Sequence, residues 1–214
     1  MPSRQISDTR RTLREDYFRH DPSDGSLRLS DGHRTAAITT EFLHRFHDSL
    51  AHGFGPSAHR VFYACGYEWG LQEMVRLTLR LREEFGSGNL DLWQMDARFV
   101  LDSWWAPLTA AGWGVWTLDL STQTKGLTFI EVRNSAVVPN APPATAPTCH
   151  LYAGLFAGAL SFYARVENHA LEIECAAMGH PSCRFIVGSR TQIDAVESWR
   201  QQGAGADEIR RRLT

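Results

Sequence analysis

The chain has 214 residues, 43% of them hydrophobic and 21% charged, which is enough apolar material for one sizeable core. A formal net charge of −2 argues against broad electrostatic binding to nucleic acid. The N-terminus lacks the apolar run of a secretory signal, and no stretch reaches the roughly 18 apolar residues of a membrane span. A cytoplasmic chain with reduced thiols is therefore expected.

In chain order, residues 1–20 read as a charged N-terminal arm. Turn residues Pro22, Gly25 and Gly32 then frame a hairpin, Ser26–Leu29 followed by Arg34–Ile38. Thr39 or Thr40 caps a helix whose Phe42, Leu43, Phe46 and Leu50 share one face, and Gly53 and Gly55 stop it. Pro56 opens a long second helix. Gly66 and Gly70 lie inside it, each costing about 1 kcal/mol against alanine, so another backbone or a ligand is expected to approach closely there. A third helix is predicted over about Leu90–Ala111. Two strands follow, "WGVWTLDLS" and "GLTFIEVRNS", and then a Pro/Ala loop, "AVVPNAPPATAPT".

The next helix, "CHLYAGLFAGALSFYARV", carries a small stripe of Ala153, Gly154, Ala157 and Gly158. It echoes "YACGYEWGL" of the long helix, which leaves two readings: two small-faced helices that cross closely, or chance similarity. "ALEIECAAMG" and "CRFIVGS" alternate as a second strand pair around a His180–Pro181 corner. Residues 191–202 form an amphipathic helix with Ile193, Val196 and Trp199 inward. Residues 203–214 read as a tail, and Arg210, Arg211 and Arg212 as a solvated face. Together these elements predict an α+β fold, an antiparallel sheet packed against helices, in one domain over 21–202.

The chemistry concentrates around three of the four cysteines. Cys175 and Cys183 stand eight positions apart, Cys149 begins the small-residue helix, and Glu172 and Glu174 are acidic in an otherwise apolar strand. Reduced thiols disfavour a disulfide, leaving two readings: small buried core residues, or metal ligands. Three thiolates and one carboxylate make a complete tetrahedral set for zinc, and a closed set of four is structural. A regular strand would place Glu172 and Cys175 on opposite faces, so the site needs a bulge or a strand end between them. Cys65 lies in an apolar helix stripe and is expected to be buried and inert.

"YAGLFAGALSFYARVENHALEIECAAMGHPSCRFIVG" resembles the 4-vinyl reductase domain family. Its signature is a Gly/Ala helix, Glu-x-x-Cys, a Gly-His/Asp corner and Cys-Arg-Phe/Ile. "RHDPSDGSLRLSDGHRTAAITTEFLHRFHDSL" and "VFYACGYEWG" are similar to the N-terminal sensory region of phenol- and xylene-responsive bacterial transcription activators. The resemblance is strong over 149–188 and looser over 19–85. It implies a zinc held by Cys149, Glu172, Cys175 and Cys183, a fold shared with vesicle-tethering subunits, and a homodimer. It also shows departures. Where those sensors use a tryptophan and a histidine for the ligand hydroxyl, "FIEVRNSAVV" offers Val132 and Arg133, and "DARFVLDSWWAPL" has no histidine. These departures point away from phenol itself.

Aromatic residues fill that region instead. Trp104, Trp116, Phe129, Tyr152 and Phe156 are the candidate lining of an apolar pocket, with solid core as the alternative reading. No activated nucleophile, P-loop or dinucleotide fingerprint is present, so no catalytic residue is assigned. The function expected is a zinc-stabilised, non-catalytic sensor or adaptor domain for a small hydrophobic or aromatic molecule, without direct nucleic-acid or membrane binding. The alternatives are a tetrapyrrole 4-vinyl reductase or its accessory protein, and a structural adaptor without ligand.

Overall fold

β1 (Phe18–Asp21), β2 (Ser26–Leu29) and β3 (Arg34–Thr35) form an antiparallel meander in order β1-β2-β3. Asp24 accepts from Ser26 N at 2.7 Å in the β1–β2 turn, where Gly25 takes φ +66°. The computed structural model describes residues 17–86, 88–138 and 144–213. The chain divides into two compact units, Met1–Thr39 and Thr40–Thr214, where the sequence suggested a single domain over 21–202. Of the expected N-terminal arm, residues 1–16 lie outside the described residues, and Phe18–His20 are strand.

The second unit begins with α1 (Thr40–Phe54) and α2 (Ala58–Glu84), joined by a short 3-10 turn that contains Pro56. The amphipathic pattern of α1 does predict a helix, but none of its residues is buried, and Phe42 and Phe46 are 57% and 51% exposed. Leu43 and Leu50 of the expected inward face are half-buried, and Phe46 and His47 meet the Phe62 ring of α2. In α2 the buried stripe is Phe62, Gly66, Gly70, Met74, Leu77 and Leu81. Cys65 falls off that stripe and is exposed, contrary to its expected burial.

α3 (Ala97–Ala110) starts seven residues later than the pattern suggested. Asp91 caps a 3-10 turn at Leu92–Gln94, and Asp96 caps the helix proper by accepting from Phe99 N at 2.9 Å. Pro107 inside α3 has no N–H for the Ser103 carbonyl, one turn earlier. Arg80 of α2 donates to that carbonyl at 2.9 Å, which satisfies the freed acceptor and ties the two helices together.

β4 (Val115–Asp119), β5 (Thr128–Arg133), β6 (His169–Glu174) and β7 (Cys183–Gly188) form an antiparallel sheet in order β4-β5-β7-β6. Its two faces are covered differently. Ile130, Val132, Ala170, Phe185 and Val187 join the larger core with α2, α3 and α4 (His150–Ala164). Phe129 and Ile186 join a smaller core with Ile193 and Val196 of α5 (Arg190–Gln201) and Ile209 of α6 (Ala206–Leu213). A full capping box, Ser189 with Gln192, starts α5. The expected C-terminal tail is thus a docked helix. Two of its three arginines have partners: Arg210 pairs with Asp119 and lies 4.7 Å over the Phe129 ring, while Arg212 pairs with Glu208 and lies over Trp199.

α2 and α4 run parallel in close contact through Gly66, Gly70, Gly154 and Gly158. A Cβ built on Gly66 would stand 2.0 Å from the Leu151 carbonyl oxygen, and one on Gly154 would stand 2.0 Å from that of Tyr63. The glycines are reciprocal, four residues apart on each helix, so the backbones meet without side chains between them. This is the close crossing that the two small-residue stripes predicted. Farther along, Tyr63 Oη accepts from Ala170 N at 3.1 Å and fixes α2 to the edge strand β6. The crossing thereby sets where the first residue of α4 meets the β6–β7 hairpin.

Candidate metal centre and aromatic cluster

Cys149 is the N-cap of α4, and its backbone N–H donates to Glu172 Oε2 at 2.9 Å. Glu172 reaches it because the β6–β7 register shifts between Glu172 and Glu174, and β6 ends at Glu174. That irregularity is what the Glu172–Cys175 spacing required. Cys175 follows the strand and caps the 3-10 turn Ala176–Met178, and Cys183 begins β7. Gly179 closes this turn in the left-handed region, φ +94°. Glu174 points elsewhere and pairs with Arg184 at 3.3 Å.

One sulfur or carboxylate oxygen from each of Cys149, Glu172, Cys175 and Cys183 lies within 4.8 Å of every other, and all four residues are buried. Cys149 Sγ is 3.6 Å from Cys183 Sγ and 4.0 Å from Cys175 Sγ. These separations are far beyond a bonded disulfide of about 2.05 Å. They bracket the roughly 3.8 Å expected between two thiolates at a tetrahedral zinc with Zn–S of about 2.3 Å. Glu172 Oε1 is buried with no hydrogen-bond partner among the described residues. A buried carboxylate oxygen left in that state costs free energy unless a cation or proton meets it. The donor set therefore fits a soft divalent metal.

Without a metal the cluster is electrostatically frustrated. Burial, then the neighbouring Cys175 sulfur, pushes the Glu172 carboxyl up to about 8. Hydrogen bonding with Cys175 and Cys183, together with burial, raises Cys149 well above an ordinary thiol. Bonding from Cys149 and Cys183 lowers Cys175. One buried negative charge is tolerated and the other groups hold their protons, whereas a divalent ion would favour charge on all four. Around them, Ala176 N donates to Cys183 Sγ at 3.4 Å, and Thr148 Oγ1 lies 3.6 Å from Cys175 Sγ. Among the described residues no second group of this kind gathers. On α1, His44 Nε2 meets the Ala136 carbonyl at 3.2 Å, and His47 stacks on Phe62.

One and two turns into α4, Tyr152 and Phe156 enter the second feature. Trp104, Trp105, Trp116, Tyr152 and Phe156 form one aromatic cluster. Trp105 stacks on Trp116 at 5.0 Å, and Trp104 meets Trp116 and Phe156 edge-on at 5.5 and 6.3 Å. Phe185, two residues beyond Cys183 on the same strand face, packs on Phe156 at 5.1 Å. Sequence reasoning missed Phe185, although its period-two spacing from Cys183 placed it there. Phe129 is the opposite case: it lies on the other sheet face, under Arg210, and does not join the other four candidates.

Two polar side-chain atoms of this cluster have partners, and a third is buried without one. Trp105 Nε1 donates to the Gly114 carbonyl at 3.3 Å, and Tyr152 Oη donates to the Trp113 carbonyl. Trp104 is 3% exposed, and its Nε1 has no partner among the described residues.

Residues 128–189 match the family model of the V4R domain, a span that includes three of the four strands of the β4-β5-β7-β6 sheet and all four Cys/Glu residues. No curated protein sequence matches the chain. Among solved structures, the chain is similar to the phenol-responsive sensory domain of the transcription activator PoxR with phenol. That likeness has 21% identity and a TM-score of 0.65 over 87% of this chain and 91% of that one. A vinyl-4-reductase family protein from Methanocaldococcus jannaschii matches at 18% identity and TM-score 0.46, over 72% of this chain and 82% of the other. A trafficking protein particle complex subunit 3 from Naegleria fowleri, covalently bound to palmitic acid, matches at 12% identity. Its TM-score is 0.50, over 70% of this chain and 93% of the other. The fold is thus the α+β arrangement expected from sequence. Among the described residues no helix is long and apolar enough to cross a membrane.

Proposed function

We propose that the chain is a zinc-stapled, non-catalytic domain that binds a small hydrophobic or aromatic molecule and signals through a dimer or partner. The observation that supports this most is the continuity of α4. Cys149 opens the helix in the Cys/Glu cluster, and Tyr152 and Phe156 carry it into an aromatic cluster holding an unpaired indole N–H. Thiolate-rich donors in a reducing, cytoplasmic setting favour zinc over magnesium or calcium. With Cys149, Glu172, Cys175 and Cys183 as ligands no coordination position stays open, so a bound zinc supplies structural linkage. Those residues then hold the start of α4 against the β6–β7 hairpin. Trp104 orients the ligand by donating its Nε1–H, and Trp116, Tyr152 and Phe156 enclose the apolar body. The fold likeness to a phenol-responsive sensory domain agrees with a small aromatic ligand. The exposed Phe46 ring on α1 agrees with a second copy as added cover.

The indole N–H gives the test for the ligand. Benzaldehyde, which offers an acceptor, is expected to bind about tenfold or more tighter than toluene, because only toluene leaves Trp104 unpaired. Trp104→Phe should erase that preference in calorimetric titrations. Equal binding of the two would remove Trp104 as the donor, and binding of neither would make the rings solid core and the chain a structural adaptor.

Glu172 and Glu174 separate ligand from bystander. Glu172→Gln keeps the size, removes the charge, and is expected to weaken zinc by at least about tenfold. Glu174→Gln loses a partly exposed ion pair worth about 0–1 kcal/mol and should leave zinc affinity unchanged. Competition with a chromogenic chelator measures both, and equal effects would remove Glu172 from the ligand set.

A further inference from the structure

At the opposite end of α4 from Cys149 there is a pocket of about 590 Å³. It lies between the last turns of α2 (Thr78, Arg82), the segment 88–93, and the end of α4 (Ser161, Phe162, Tyr163) with its cap Arg165. At about 1.5 Å per residue, Ser161–Arg165 stand roughly 20 Å along the helix from the Cys/Glu cluster. The volume is that of a small-molecule site.

Its lining combines an apolar wall and one uncommitted cation. Leu92 and Tyr163 are buried, Phe162 is half-buried, and Trp93 is 54% exposed with its ring 6.4 Å from that of Tyr163. Tyr163 Oη is already engaged with the Met95 carbonyl, and Ser161 Oγ with the Ala157 carbonyl. Arg165 is engaged too, in an ion pair with Asp91, which also accepts from Trp93 N. Arg82 differs. Its Nε donates to the Leu90 carbonyl at 3.2 Å, which fixes the guanidinium at the pocket, and it has no carboxylate partner among the described residues. An Arg anchored through Nε keeps its two terminal nitrogens as a parallel pair of donors, the geometry that a carboxylate accepts.

We propose that this pocket binds a small carboxylate with a flat apolar body. Arg82 takes the carboxylate, and Trp93 and Tyr163 flank the body. Both α2 and α4 direct their C-terminal ends here, and those ends carry partial negative charge. An anion is therefore held only while Arg82 is present, so loss of that one side chain has a large effect. The site is separate from the aromatic cluster around Trp104, and either can fail without the other.

The test is isothermal titration of the full, metal-loaded chain with 1-naphthoate, 1-naphthyl phosphate and the neutral 1-naphthylmethanol. Naphthoate is expected to bind with Kd of about 1 mM or tighter. Arg82→Gln and Trp93→Ala should each weaken it by about tenfold or more, while Trp104→Phe leaves it unchanged. Arg82→Lys should recover only part of the affinity, because a point charge lacks the paired donors. The proposal is overturned by absence of naphthoate binding, by equal binding of the neutral alcohol, or by preference for the phosphate. It is overturned too by an Arg82→Gln chain that binds as well as the parent. Loss of binding in Trp104→Phe alone would assign the naphthoate to the aromatic cluster instead.

Discussion

Gly154→Ala is expected to destabilise the Thr40–Thr214 unit by about 3 kcal/mol or more, at the upper end of overpacking costs. The added methyl would lie 2.0 Å from the Tyr63 carbonyl oxygen and 2.8 Å from Tyr67 N, both backbone atoms that cannot rotate away. Helix propensity alone would favour alanine by about 1 kcal/mol, so the sign of the effect reports the crossing itself. Gly53→Ala supplies the control. Gly53 lies in α1 with nothing within 4 Å of its built Cβ, and there alanine should be neutral or slightly stabilising. Urea unfolding of the two variants measures both. If Gly154→Ala melted with the parent, α2 and α4 would not meet through bare backbone.

Cys183→Ala should be nearly as damaging, through a different cause. Three ligands remain, metal affinity collapses, and the free energy that binding adds to folding goes with it. For structural zinc sites that contribution is of order 10 kcal/mol, and in a chain with its own core a loss of several kcal/mol is expected. Protection against hydrogen exchange should fall over 149–188 and fall less in α2 and α3, which carry none of the four ligands. Chelation of the parent should reproduce the variant.

Much of the second unit was legible because its signals are local or periodic. Gly66, Gly70, Gly154 and Gly158 recur at four-residue spacing, and only close helix contact makes glycine useful inside a helix. The spacing of Glu172 and Cys175 called for a strand irregularity, and the β6–β7 register shift provides it. What escaped depends on which face of an element is covered. α1 has a sound amphipathic pattern, but a pattern does not say how deeply the face is buried, and among the described residues it is half-buried at most. Phe129 was grouped with Trp116 on composition. The antiparallel register sets Trp116 opposite Val132, and Phe129 is three residues from Val132, so strand parity sends the two to different faces. The last helix was read as a tail because Gly203 and Gly205 break the pattern before it. Yet Ala206, Ile209 and Leu213 keep i, i+3, i+7 spacing, and Ile209 is fully buried. Trp104 in a buried helix was legible as core. That its N–H would be left without a partner was not, since this depends on where the carbonyls of distant elements fall.

The central claim is that Cys149, Glu172, Cys175 and Cys183 hold one structural zinc. The most direct measurement is metal content by native mass spectrometry, on chain purified without added metal, alongside thermal melting before and after chelation. The account predicts about one zinc per chain, because a closed four-ligand site has no room for a second ion. It also predicts a melting transition that falls sharply when the ion is removed. A metal-free chain whose melting is indifferent to chelator and to added zinc would contradict it, and the three thiols would then be core residues.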